Sequence, residues 1–251
     1  MKAIILAAGK GSRLGKLTEG IPKGMLKIHD KTLIERQIEI YRNFGIKDIT
    51  IVTGYKNEII NFSGINYIKN HDFEITNMNE SFFCASEKLL DSVIVSYTDI
   101  IFDQKIIQQM IKNPADIGIA INLDWRKNYE GRKLHPLSEA ENALIEKDKI
   151  IQIKKDISKK GNNQKIAEFM GIMKLSKKGS KIILQKYLDL KKNHEGIFHN
   201  SKSLQSAYIT DMLQEIINSG FNVTPVIVDG SWYEIDTPED LEKVEKSLKF
   251  N

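Results

Sequence analysis

Residues 1–26, MKAIILAAGKGSRLGKLTEGIPKGML, decide how the rest of the chain is read. The apolar run Ala3-Ile4-Ile5-Leu6, bounded by Ala7-Ala8-Gly9, predicts a buried strand at the head of the chain. Behind it, Gly9-Lys10-Gly11-Ser12-Arg13-Leu14 puts two glycines, a hydroxyl and two cations into one loop. Glycine tolerates positive φ and close backbone approach, so successive amide N–H groups can converge on an anion. Arg13 can fork two phosphate oxygens, while Lys10, Lys16 and Lys23 add point charges. A buried strand feeding such a loop outlines a triphosphate site. The spacing fits neither common phosphate loop. A dinucleotide-binding G-x-G-x-x-G needs glycine where Leu14 stands, and no G-x-x-x-x-G-K-[ST] string occurs. The plainer alternative is a strand-to-helix turn with solvated lysines.

Composition narrows the partners. A chain of 251 residues is long enough to bury a full α/β core. Charged residues make up 28% and hydrophobic ones 41%, an ordinary globular mixture. The net charge of +4 comes from lysines interspersed with acids, and no basic stripe carries aromatics. Small anions are therefore expected partners and nucleic acid is not. The lone Cys84 allows no internal disulfide, suits a reducing compartment and reads as a small buried hydrophobe. No stretch reaches about 18 apolar residues, and the first apolar run is too short for a signal peptide. The default expectation is the cytoplasm, with no membrane partner.

Strand and helix patterns alternate along the chain. Residues 32–44 carry a helical apolar face (Leu33, Ile34, Ile38, Tyr41, Phe44) closed by Gly45, and 48–53 reads as the next parallel strand. A short helix over 56–62, a strand over 65–69, a helix over 81–89 and a buried strand over 93–97 follow. Strands separated by helices imply right-handed crossovers and a doubly wound sheet. The middle departs from this: a strand at 117–123, an irregular arm over 124–136, alternating strands at 143–146 and 150–154, and a polar basic loop over 155–165. A strand at 169–175, helices at 177–192 and 203–218, and short strands at 223–228 and 232–235 complete the pattern. Thr237-Pro238-Glu239-Asp240 starts the last helix with an N-cap, proline at N1 and an acid at N3. Without repeats or linkers, 1–251 reads as a single domain. Residues 1–123 and 220–251 form its core, and about 124–175 form a substrate arm and lobe.

Two acids follow strands. Asp99 comes after the 93–97 strand, at the carboxyl edge where open α/β sheets place ligands. Asp236 follows a strand and precedes a helix. Two carboxylates from different strand ends suit Mg²⁺ between triphosphate oxygens, although each could merely cap the next helix.

The string L-A-A-G-x-G-S-R-L, followed by Pro22-Lys23 and an apolar strand at 25–28, resembles the signature of nucleotidyltransferases that make NDP-sugars and CDP-alcohols. Asp236-Thr237-Pro238-Glu239-Asp240-Leu241 is similar to the ending of that family. The resemblance implies a Rossmann-like, doubly wound mixed sheet of the nucleotide-diphospho-sugar transferase type, with an inserted substrate lobe. It implies Arg13 and Lys23 as catalytic cations, and Gly9 and Gly11 amides on the β- and γ-phosphates. It places Leu6, Ala7, Ala8, Ser12, Asn77, Ser81 and Thr98 around the nucleotide, with Mg²⁺ on Asp99 and Asp236. A phosphate acceptor is already largely dianionic near neutral pH, its second pKa being about 6, so alignment and charge neutralisation suffice.

The middle refines the resemblance. Asn77-Met78-x-x-Ser81 is similar to cytidylyltransferases that activate phosphocholine and phosphonates. Asp124-Trp125-Arg126, Tyr129-x-Gly131-Arg132 and Ala140-Glu141 resemble the substrate arm of the 2-aminoethylphosphonate and phosphoglutamine enzymes. Ala167-Glu168-Phe169-Met170-Gly171 resembles their E-x-x-G strand. The acceptor residues expected are Trp125, Tyr129, Arg132, Lys154 (with Lys155 beside it), Glu168 and Asp211. Simple packing is the alternative for Trp125 and Tyr129, and solvation for Arg132. His71, His135, His194 and His199 lack metal-ligand spacing and receive no role. The expected partners are CTP and a small phosphorylated acceptor, with room for a homodimer. A sugar-1-phosphate nucleotidyltransferase using another NTP stays open, as does a nucleotide-sensing domain without catalysis.

Overall fold

The computed structural model describes residues 1–159 and 161–248; Lys160, inside the basic loop expected over 155–165, lies outside them. Strand β1 (Lys2–Ala7) is the centre of the main sheet, and Ala3, Ile4 and Ile5 are fully buried, as a parallel strand covered on both faces requires. The chain leaves β1 through tight 3₁₀ turns over Ser12–Thr18 and Lys23–Met25. A minimal hairpin, β2 (Lys27–Ile28) and β3 (Lys31–Thr32), leads into α1 (Leu33–Asn43). The apolar strand expected over 25–28 is thus only its second half. Thr32 and Glu35 form a reciprocal capping box at α1.

Strands β4 (Ile49–Thr53) and β5 (Asn66–Lys69) extend the sheet on one side of β1. The helix expected over 81–89 starts earlier, as α2 (Met78–Cys84), because Asn77 caps it through Met78 N–H at 2.8 Å. Then β6 (Val93–Tyr97) pairs with the other side of β1. Next come β7 (Ile100–Phe102) and α3 (Gln104–Lys112), which the sequence reading passed over; Asp103 caps α3, and Ile106, Ile107 and Met110 form its buried face.

The middle segment adds β8 (Ile117–Asn122), β9 (Glu141–Glu146), β10 (Lys149–Lys155) and β11 (Gln164–Leu175). After them come α4 (Lys177–Asn193), α5 (Ile209–Asn218), β12 (Thr224–Ile227), β13 (Trp232–Glu234) and α6 (Pro238–Ser247). The helix expected over 203–218 begins only at Ile209: Ser203 and Ser206 hydroxyls bond neighbouring backbone groups and compete with helix formation.

The main sheet runs β10-β9-β11-β6-β1-β4-β5, with β8 on β11 and β12 on β8. Strands β4, β5 and β6 run parallel to the β1 direction, whereas β11 is antiparallel to β6, β8 and β9. The sheet is therefore mixed, as the resemblance implied. Within β11, Gly171 takes a φ of 70° where the register with β8 shifts, and a Cβ there would lie 2.8 Å from the Tyr97 ring. The chain order reverses between β1 and β6, so their carboxyl ends open a crevice of the kind in which α/β sheets bind ligands.

Candidate active site

A cavity of about 350 Å³ opens at the carboxyl ends of β1 and β6. It is lined by Leu6, Ala8, Gly9, Gly11, Ser12 and Arg13 from the first strand and its loop, by Asn77, Ser81, Thr98 and Asp99, and by Lys23 and Asp236. Glycine lets these segments converge. Gly11 takes a φ of 69°, and a Cβ on it would lie 2.9 Å from the Lys23 stem. The buried Lys23 ammonium donates to Asp99 Oδ2 at 2.8 Å and to Asp236 Oδ1. Arg13 Nη1 lies 3.1 Å from Asp236 Oδ2, and His135 Nδ1 is equally close to that oxygen. Lys10 pairs with Glu74 at 2.8 Å, its ammonium 5.7 and 6.0 Å from the centres of the Tyr55 and Phe73 rings.

Burial opposes the charge on Lys23, but Asp99 and Asp236 more than offset it, so the ammonium is held above the ordinary lysine range. Burial alone would raise Asp236. The His135 hydrogen bond, Lys23 and Arg13 reverse this and hold its carboxylate well below the usual range. Glu234 has no such partner so close. Burial, then the nearby Asp236 and Asp99 charges, push it up to about 7.

The donor set suits a hard divalent cation. Asp99 Oδ1 and Thr98 Oγ1 are buried without a hydrogen-bond partner among the described residues. Asp99 and Asp236 are oxygen donors that share one cation already, the Lys23 ammonium. Mg²⁺ takes one or two carboxylates and leaves its remaining positions to phosphate and water.

Residues 3–164 match the family model of the MobA-like NTP transferase domain. The chain belongs to that family. It is 33% identical over 264 residues to the CTP:phosphoglutamine cytidylyltransferase of Campylobacter jejuni, an alignment covering 98% of this chain and 100% of that one. The structure is similar to that of the CTP:phosphocholine cytidylyltransferase of Streptococcus pneumoniae, with a TM-score of 0.73, 26% identity and 99% of each chain covered. It shares its fold with the inositol-1-phosphate CTP transferase of T. maritima, with a TM-score of 0.73, 20% identity, and 98% of this chain and 93% of that one covered. The protein is a nucleotidyltransferase with the Rossmann-like mixed sheet of the nucleotide-diphospho-sugar transferases.

In this transferase the residues expected at the nucleotide come together, except that Ala7 is buried in β1 behind the cavity wall. The residues expected at the acceptor stand elsewhere, and none of them lines the cavity. Trp125 and Tyr129 pack edge to face at 5.7 Å inside a small core with Ala140, Leu144, Ile157 and Ile166. The Tyr129 hydroxyl donates to the buried Glu168. Arg132, 6% exposed at its side chain, is committed to Asp240 at 2.7 Å and Glu234 at 3.4 Å. Asp211 caps α5, accepting from Ser201 Oγ at 2.8 Å and Tyr208 N–H at 3.0 Å. Lys154 projects to the face of β10 opposite that of Lys155.

Other groups stand around the cavity. Tyr97 and Tyr208 line the cavity. Glu141 accepts from Tyr97 Oη at 3.2 Å and Thr210 Oγ1 at 2.9 Å, and burial pushes it up to about 7. Lys155 Nζ sits 4.8 Å from the centre of the Tyr208 ring and 2.8 Å from Glu139. Strand alternation could have separated Lys155 from Lys154, since Ile153 and Lys155 share a face. Nothing local marked Tyr208 or His135.

Proposed function

We propose that this nucleotidyltransferase moves CMP from CTP to a small zwitterionic phosphate or phosphonate. An acceptor oxygen forms a bond to the α-phosphorus, the bond from that phosphorus to the β-phosphate bridging oxygen breaks, and pyrophosphate leaves with the electron pair. What supports this most directly is the convergence of Lys23, Arg13, Asp99 and Asp236 from separate segments on one point. A sensing domain would have no need of that convergence.

In this reading Gly9 and Gly11 amides with Arg13 hold the β- and γ-phosphates, and Lys23 follows the charge that develops at the α-phosphate. Mg²⁺ on Asp99 and Asp236 would neutralise phosphate oxygens and fix their orientation. Each charge contact aimed at the transition state is worth on the order of 3 kcal/mol. Ala8, Asn77 and Ser81 flank the nucleobase end of the cavity. Lys155 is placed to take the acceptor's phosphoryl group, and Glu141 with the Tyr97 and Tyr208 rings to take its ammonium. Phosphoglutamine, 2-aminoethylphosphonate and phosphocholine all carry that pair of charges; the 1-phosphate of a sugar without a free amino group does not. The names of the Campylobacter and Streptococcus relatives point the same way on the nucleotide.

Pyrophosphate release with Mg²⁺ tests the proposal, with CTP, UTP, GTP, ATP and dTTP crossed against those acceptors and several sugar 1-phosphates. Turnover is expected only with CTP and a zwitterionic acceptor. Turnover with a sugar phosphate and another NTP would overturn the acceptor assignment. Nucleotide binding without any turnover would favour the sensing domain.

A further inference from the structure

The arm between β8 and β9 grips the segment that carries Asp236. Backbone N–H groups of Lys133 and Leu134 donate to Glu239 Oε2 at 2.9 and 3.1 Å. Arg132 pairs with Asp240, whose Oδ2 accepts from the backbone N–H groups of Asp236 and Thr237 at 3.0 and 2.9 Å. His135 completes the grip. It is 3% exposed, its ring packs edge-on against Tyr129 at 5.7 Å, and Nδ1 lies 3.1 Å from Asp236 Oδ2. Arg132 Nη2 lies 2.9 Å from the same nitrogen. Arg132 Nη2 has carboxylate acceptors for both of its hydrogens, Asp240 Oδ2 at 2.9 Å and Glu234 Oε2 at 3.4 Å, so the proton is assigned to His135 Nδ1, facing Asp236, with Nη2 left as a close neighbour of that nitrogen and not its hydrogen-bond partner.

We propose that His135 is a positioning residue, whose Nδ1–H pins Asp236 Oδ2 and so keeps Oδ1 turned inward beside Asp99 to meet a divalent cation. The proposal rests on the reading of Asp99 and Asp236 as cation ligands. A terminal carboxylate torsion is soft, so a ligand oxygen needs an outside partner to fix it. Arg13 also touches Oδ2, but its side chain is 52% exposed and is assigned to the phosphates once nucleotide arrives. Lys23 is likewise assigned to nucleotide. His135, buried in the arm, is the donor that stays.

The test is Mn²⁺ binding, read by electron paramagnetic resonance in the presence of a non-reacting CTP analogue, in the wild type, H135F, H135N and D236N. Phenylalanine keeps a ring against Tyr129 without a donor, and asparagine puts an amide N–H near the Nδ1 position. H135F is expected to weaken Mn²⁺ by roughly 10–100-fold. It should raise the metal activation constant and leave analogue affinity in EDTA unchanged, while H135N restores most of the loss. Wild-type Mn²⁺ affinity in H135F, with affinity lost in D236N, would overturn the role of His135 and leave the cation reading standing. Wild-type affinity in D236N would overturn both. Should H135F fail to fold, H135Q replaces it, since its amide reaches the Nε2 position; restoration by glutamine equal to that by asparagine would overturn the proposal.

Discussion

The Lys23 ammonium donates to the Asp236 carboxylate while also pairing with Asp99, so one side chain neutralises both acids that a divalent cation would need. On the proposed function, cation and lysine would compete for the same oxygens, and nucleotide phosphates would relieve the competition by giving Lys23 another anion. Mn²⁺ should therefore bind the nucleotide-free protein weakly. In Lys23→Met its affinity for the free protein should rise tenfold or more, while turnover falls by about 10²–10³. Calorimetry with Mn²⁺ alone checks this; equal affinities in the two proteins would refute the competition.

Arg132 is a buried structural clamp in this protein. Its guanidinium is held above the ordinary arginine range, the Glu234 and Asp240 charges outweighing burial. Arg132→Met would leave Asp240 and Glu234 without their cation and should destabilise the fold by roughly 3–5 kcal/mol. Chemical denaturation measures the loss. If stability held and only the acceptor KM rose, Arg132 would belong to the acceptor site after all.

The difference between what was readable in the chain and what was not follows sequence separation. Strand β1, the glycine loop and the Thr237–Asp240 cap are set by neighbours within a few residues, and hydrophobic pattern and turn chemistry report them. That Asp99 and Asp236 lie near each other was partly readable because each follows a strand; the β7–β13 pair, with Ile235 N–H donating to the Asp99 carbonyl at 2.9 Å, brings the two together. The pairing of Arg132 with Asp240 was not readable because the two are 108 residues apart, and an unpaired cation in a sequence looks free. Trp125 and Tyr129 carry no mark that distinguishes a ring in a small core from a ring over a substrate. His135 acts through Asp236, which lies beyond any local window.

Glu168 gives the fold a pH dependence. Burial first, and then the Glu234 charge, push its carboxyl up to about 8, well above its usual 4.5. The folded protein thus binds this proton more tightly than the unfolded chain does. The stabilisation is complete below about pH 4.5 and is lost as pH rises through about 8. Glu168→Gln keeps an acceptor for the Tyr129 hydroxyl and removes the titration. Its unfolding free energy should gain on the wild type by on the order of 2–4 kcal/mol between pH 5 and pH 9. Parallel pH profiles for the two proteins would contradict the burial argument.

Lys155, proposed to meet the acceptor, has a carboxylate, Glu139, and a ring, Tyr208, as partners. Burial works against its charge; the Glu139 hydrogen bond, then Tyr208 and Glu139 charges, hold it above the ordinary lysine range, so it is cationic at neutral pH. An incoming phosphoryl group would compete with Glu139 for it, exchanging one ion pair for another. Lys155→Met preserves the stem over Tyr208 and removes the charge. The acceptor KM should rise about 10–100-fold, from a loss of roughly 1.5–3 kcal/mol for a charged hydrogen bond, with the CTP KM unchanged. Lys154→Met, on the opposite face of β10, should leave both constants as they were. Steady-state kinetics on the two variants separates the faces: an effect at Lys154 without one at Lys155 would return the acceptor to the other side of the strand.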